Sequence, residues 1–326
     1  MRTGFVSHDN CIIMYVSCDI NFVGPIEMAE MSNQAMSPIV PLLELPGRAF
    51  CDSGERASLR LLESAQCDPD AICAQIEAGC YGKPFIIEDG WTRRLHFSLQ
   101  FIQSAMRIDA PYALEYAYTR KMMAFLLFVP DPEHVLMVGL GGGSLAKFCH
   151  RHLPNSRLTV VEINPDVIAL RAEFQVPDDK RLAIVQADAA DYLPAAEGDT
   201  DVLLLDGFDT EGIAPTFLNR DFYQAARRRL RPGGVLVANF AESRKYWSRH
   251  LALLNAAFAG RVHWGTVPGG DNHIAFAFVD ADCALDWERL EERAAALAEQ
   301  FPLDFSAIVR SLREGAELRW AKTSCR

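Results

Sequence analysis

From His134 onward the chain alternates short, nearly unbroken apolar runs with segments of helical periodicity, and this alternation constrains the fold more than any other feature. The runs are HVLMVGL (His134–Leu140), RLTVVEI (Arg157–Ile163), RLAIVQAD (Arg181–Asp188), DVLLLDGF (Asp201–Phe208) and VLVANFA (Val235–Ala241). Helix-patterned stretches separate them: one from Ser144, PDVIALRAEF from Pro165, a short one after Asp188, and RDFYQAARRRL from Arg220, which RPGG at Arg231–Gly234 stops. Strands that are apolar throughout must be covered on both faces, which predicts an α/β fold with a doubly wound, mostly parallel sheet. A further helix around RHLALLNAAF leads to RVHWGTVPGGDNHIAFAFVD (Arg261–Asp280), two runs joined by a Gly-Gly-Asp-Asn turn. These read as an antiparallel pair that closes a seven-stranded, Rossmann-like sheet.

Gly139, Gly141 and Gly143 lie where the first run hands over to a helix, so backbone can approach a ligand closely and the helix start offers free N–H groups. A dinucleotide fingerprint would require its third glycine at position 144, which is Ser144. The spacing present, G-x-G-x-G, is that of folds binding S-adenosylmethionine-type ligands. Glu162 ends the second strand, where a carboxylate can accept both ribose hydroxyls, and Asp188 ends the third, placed to accept from an adenine amino group. Each acid alone is more often a helix cap or a solvated loop residue; in this order they point to an adenosine-containing sulfonium ligand. Asp206 and Asp209 follow the fourth strand at the mouth of the same crevice. Two carboxylates beside a sulfonium can hold an ammonium group and take the proton a nitrogen nucleophile must lose. The apolar strand before them predicts partial burial and a raised carboxylate pKa.

The rest of the chain narrows the class. Net charge is -11 over 326 residues, without a dense basic run, which argues against a nucleic-acid partner. The one basic cluster, Arg227–Arg231, suits a helix C-terminus. Nine cysteines without a CxxC pair or a nearby His at ligand spacing predict reduced thiols, no metal and a cytoplasmic setting. No apolar run is long enough to span a membrane. Residues 1–80 are expected to form an N-terminal segment, partly helical from Ser53 and from Asp68. For its first 45 residues disorder and a start at Met28, Met31 or Met36 are both open. Residues 81–110 carry an Asp-Gly pair between β-rich runs, a hairpin signal. Residues 111–282 form the nucleoside-binding catalytic domain and 283–326 an amphipathic helical tail.

The motifs EDGWTRRLHF and FIQS, DAPYALEYAYTRKMMAFLLF, VLMVGLGGGSLAKF, VVEIN, QADAADY and LLLDGFD together resemble the spermidine synthase (polyamine aminopropyltransferase) family, over about Phe85–Val279. The resemblance implies a β-hairpin module ahead of a class I methyltransferase-like sheet. It implies that Glu162 holds the ribose, Asp188 the adenine edge, that Asp206 orients or deprotonates the amine and that Asp209 binds its distal end. It also assigns Gln103 and Tyr112 to the polar lining of the site. Two departures stand out. The family's glycine loop carries an Asp where this chain has Gly142, and no Tyr stands near PGGDNH. Loss of that Asp favours intact S-adenosylmethionine over the decarboxylated form. Three readings follow: aminopropyl transfer from decarboxylated S-adenosylmethionine to a small amine or polyamine, methyl transfer from S-adenosylmethionine, or nucleoside binding without turnover. A homodimer is compatible with all three.

Overall fold

The computed structural model describes residues 42–50, 56–207, 217–241, 244–267, 272–280 and 285–324, with backbone alone at 244–246 and 315–324. A five-stranded antiparallel sheet comes first, in the order β1 (Leu43–Pro46), β2 (Ser58–Leu61), β3 (Phe85–Glu88), β4 (Thr92–Ser98) and β5 (Phe101–Arg107). The expected hairpin is its β3–β4 turn. One oxygen of Asp89 accepts from the backbone N–H of Trp91 and Thr92 at 2.9 and 2.7 Å, and Gly90 takes the left-handed conformation that tight turn requires.

The stretch from Ser53, expected to be helical, holds β2 instead. Its SLRL alternates by twos: Leu59 and Leu61 are fully buried while Ser58 and Arg60 are half-buried. Leu59 sits opposite Ile87 on β3 and packs with Phe85 and Ile72. Pairing with a neighbouring strand overrides the local helical spacing. The helix expected from Asp68 is present as α1 (Pro69–Glu77); Asp68 caps it, accepting from Asp70 N and Ala71 N at 3.0 and 3.3 Å.

The second sheet has seven strands in the order β11 (Val262–Thr266), β12 (Asn272–Phe278), β10 (Leu230–Ala241), β9 (Thr200–Leu205), β6 (His134–Val138), β7 (Arg157–Glu162) and β8 (Leu182–Gln186). The five from β10 to β8 are parallel, and β12 is antiparallel to both β10 and β11. Strand order reverses beside β6, which leaves a crevice at its C-terminal end. Two cores flank the sheet. One gathers Met137, Val160, Leu204 and Val237 with helix residues Met122 and Leu290; the other gathers Leu136, Val161, Leu203 and Leu236 with Phe222 and Leu254.

The first core is capped by α2 (Ala117–Met122), α8 (Trp287–Ala298) and α9 (Phe305–Ser324). Lys121 on α2 is buried there, donating to Thr266 O at 2.7 Å and Ser311 Oγ at 2.9 Å; burial pulls its pKa down to about 8. The second core is covered by α6 (Arg220–Arg229) and α7 (Arg244–Ala257). The basic cluster closes α6 as expected: Arg229 pairs with Asp199 at 2.9 Å and Arg231 with Glu133 at 2.8 Å. Among the described residues no helix is long and apolar enough to cross a membrane.

Candidate active site

Side chains alternate across a strand, so the terminal residues of parallel neighbours can converge on one face. Glu162 closes β7 two residues after Val160, Asp206 follows β9 two residues after Leu204, and Asn239 stands on β10 two residues after Val237. All three therefore face the α2 side at the C-terminal end of the sheet.

The glycine loop is held against these ends. Gly139 N donates to Val161 O and Asp206 N to Val138 O, both at 2.9 Å, extending the ladder beyond β6. At Gly139, φ is +93° and a Cβ would lie 2.3 Å from the Asp206 carbonyl oxygen, so no side chain fits without opening the crevice. One oxygen of Glu162 accepts from Leu140 N and the other from Asn164 N, each at 2.8 Å. Glu162 thus clamps the loop and the turn after β7, and each oxygen keeps a second lone pair for a ligand. The next residue, Ile163, is apolar and 63% exposed, offering a flat surface beside the carboxylate. Helix α3 (Ser144–His152) starts after Gly143 without a side-chain cap, and Gly141 has only Ser104 Cβ, at 3.7 Å, near its missing side chain. Backbone N–H groups and a carboxylate, on one concave turn, suit an adenosyl group.

Asp188 caps α5 (Ala189–Tyr192), accepting from Ala190 N at 2.8 Å. The cap fixes the carboxylate at the end of β8, half-buried, in the same row of strand ends. Asp206 is enclosed. Its Oδ1 accepts from Asn239 Nδ2 at 2.9 Å, and the Tyr118 hydroxyl of α2 donates to it. Burial pushes its pKa up to about 6, while the bonds from Asn239 and Tyr118 pull the other way. A carboxylate so placed is ionised at neutral pH yet basic enough to take a proton. Asp209 lies outside the described residues.

Three expectations for the lining are redirected. Tyr112 is not among the hydrogen-bond partners of Asp206; its ring packs under the Arg151 guanidinium, 4.9 Å away, at the last turn of α3. Tyr118, six residues later in the same DAPYALEYAYTRK segment, takes the place beside the acid. On β5, Ser104 meets the glycine loop, its hydroxyl 3.4 Å from Ser144 Oγ, while half-buried Gln103 falls at a bulge in the β4–β5 pairing, where Ser104 is opposite Leu95 and Ile102 opposite His96. Gly142 is packed rather than open, since a Cβ there would lie 2.7 Å from Ser104 Oγ and 2.9 Å from Phe174. Asn239 carried a readable signal, a lone amide at the end of an apolar strand. Near PGGDNH, positions 268–271 lie outside the described residues; His273 stacks on Trp247 at 4.2 Å, on the face of the sheet away from Asp206.

A family model described as the spermine/spermidine synthase domain matches residues 115–258. The polyamine aminopropyltransferase of Chromobacterium violaceum is 39% identical over 231 residues, covering 70% of this chain and 88% of that protein. A probable spermidine synthase from Corynebacterium glutamicum superposes with a TM-score of 0.54 at 19% identity, over 85% of this chain and 94% of that one, which establishes likeness of fold. Human methyltransferase-like protein 13, solved in complex with SAH, aligns with a TM-score of 0.52 at 28% identity, over 58% of this chain and 92% of that one. The matched family model, a shared fold and identity that spans nearly the whole of the bacterial relative place this chain in the spermine/spermidine synthase family, on a class I methyltransferase-like fold.

Proposed function

We propose that the protein is a transferase that moves an aminopropyl group from decarboxylated S-adenosylmethionine to a small amine. The observation that carries this reading is Asp206: a half-buried carboxylate at a strand end, bonded by Asn239 and Tyr118, beside a loop shaped for an adenosyl group. The relative from Chromobacterium violaceum, a polyamine aminopropyltransferase by name, supports the same reaction.

In this reading the backbone of Gly139, Gly141 and Gly143 borders the donor, Glu162 accepts from its ribose hydroxyls, Ile163 lies against the adenine and Asp188 accepts from the adenine amino group. The acceptor nitrogen attacks the carbon next to the sulfonium; a C–N bond forms, the C–S bond breaks and the sulfur leaves as a neutral thioether. The sulfonium already supplies the leaving group. What the chain contributes is alignment and removal of one proton from the amine, which Asp206 accepts. Asp209 is assigned to the distal end of the acceptor.

Methyl transfer is the weaker reading. The likeness to human methyltransferase-like protein 13 and the absence of an acid at Gly142 both favour it. A side chain at 142, however, would meet Ser104 and Phe174 and not open space, so a glycine there says little about the donor's tail.

The test is Asp206→Asn, which keeps shape and bonding reach but cannot hold the proton. Turnover of a diamine with the decarboxylated donor is expected to fall about a hundredfold or more. Donor affinity, measured by calorimetry, should stay within about twofold. A variant that turns over at the parental rate removes Asp206 from the chemistry.

A further inference from the structure

We propose that Asn272 positions Asp206 through Asn239: it fixes the Asn239 amide so that the N–H end, and not the carbonyl end, faces the carboxylate. The two bonds run in series. Asn272 Nδ2 donates to Asn239 Oδ1 at 2.9 Å, and Asn239 Nδ2 donates to Asp206 Oδ1 at 2.9 Å.

An Asn side chain is almost symmetric in shape, and its two ends differ only in hydrogen-bonding sense. Asn239 is 4% exposed, and packing around a buried amide cannot choose between those ends. Its partners must. In the antiparallel pair of β10 and β12, Asn239 is opposite Ile274 and Ala241 opposite Asn272, which makes Asn239 and Asn272 diagonal neighbours on one face. Were Asn239 turned over with Asn272 held as it is, its carbonyl would meet the Asp206 carboxylate and its N–H would meet the N–H of Asn272. Two hydrogen bonds would become two repulsions inside a buried site.

The consequence is chemical. A donor aimed at a carboxylate favours its ionised form, and a carbonyl aimed at it favours the protonated form. The groups facing Asp206 among the described residues are Asn239 from β10 and Tyr118 from α2, with Tyr116 stacked on Tyr118 at 5.9 Å. None of these is a cation. The orientation of one amide, after desolvation, therefore bears directly on when Asp206 is free to accept a proton, and Asn272 sets that orientation from the neighbouring strand.

The kinetic consequence rests on Asp206 being the proton acceptor; the structural part does not. The experiment reads both. In protein labelled with carbon-13 at the aspartate carboxyls, the Asp206 signal is identified by its loss in Asp206→Asn and followed against pH in the parent, Asn272→Ala and Asn272→Asp. The midpoint is expected to rise by about half a unit to one unit in Asn272→Ala. It should rise further in Asn272→Asp, where a carboxylate at 272 attracts the N–H of Asn239 and turns its carbonyl towards Asp206. The acid limb of kcat against pH should shift in the same order, with donor affinity unchanged. A role in packing alone would lower the melting temperature without moving the midpoint. An Asp206 that titrates at the parental midpoint in both variants overturns the proposal, even if Asp206→Asn is inactive. A midpoint that moves while the kcat profile does not upholds the Asn272 lock and overturns Asp206 as the base.

Discussion

At Asp206 the chain keeps an acid where burial opposes its charge. Its pKa rises to about 6 from the ordinary value of 3.8, with desolvation as the main cause. Below about pH 4 the carboxyl is protonated in both folded and unfolded chains, so it costs nothing. Between about pH 4 and pH 6 the unfolded chain releases the proton first, the folded state holds more protons, and stability falls as pH rises. Above that window the cost is complete, at most on the order of 3 kcal/mol for a shift of this size and less for a carboxylate that keeps some contact with solvent. Asp206→Asn should therefore melt at a higher temperature than the parent at pH 7.5, and the gain should vanish near pH 4. Thermal melts at the two pH values decide it; equal melting at pH 7.5, or a gain that persists at pH 4, contradicts a partly desolvated ionised carboxylate. The position of this acid was legible in the sequence, as an Asp ending an apolar run. Its partner Tyr118 was not, because Tyr112 and Tyr118 share one segment and only the course of the chain into α2 decides which one reaches the strand end.

Among the elements, the glycine loop is where two sheets meet. Ser104 of β5 and Phe174 after α4 (Pro165–Ala169) close on Gly142, and Val176 closes on Gly143. The segment from Glu173 is tied down from both sides. Arg93 donates to Glu173 O, Arg60 pairs with Glu173 at 2.7 Å, and buried Lys147 of α3 donates to Phe174 O at 2.7 Å. An added side chain at 142 must push this junction apart, an overpacking cost of about 1–3 kcal/mol. Gly142→Asp should lower the melting temperature by several degrees. Adding Ser104→Gly, which removes the nearest atoms, should restore part of the loss. An unchanged melting temperature together with a switch in donor preference would show instead that position 142 faces the donor. From the sequence, Gly142 reads as a missing charge; its actual surroundings come from β5 and Phe174, distant in the chain and invisible to any local pattern. Strand β2 escaped for the same reason. Its leucines fit a helix or a strand until β3 supplies the partner, whereas β6 to β9, mostly apolar and separated by helices, admit one reading.

Across the whole molecule, the parallel order and the closing antiparallel pair follow from connection lengths and strand composition, which is why the catalytic half was legible. The five-stranded sheet was only glimpsed through one hairpin, since its other pairings join residues with little local signature. Its place over the glycine loop gives the site its wall. The central claim is that the assembled crevice transfers an aminopropyl group, and the direct measurement is the product. The protein should be incubated with an unlabelled diamine and equal amounts of decarboxylated and intact S-adenosylmethionine, and the amine products weighed by mass spectrometry. The expected product is a diamine enlarged by an aminopropyl unit, with the thioether by-product formed in equal amount and both lost in Asp206→Asn. A methylated amine with no aminopropyl product would contradict it.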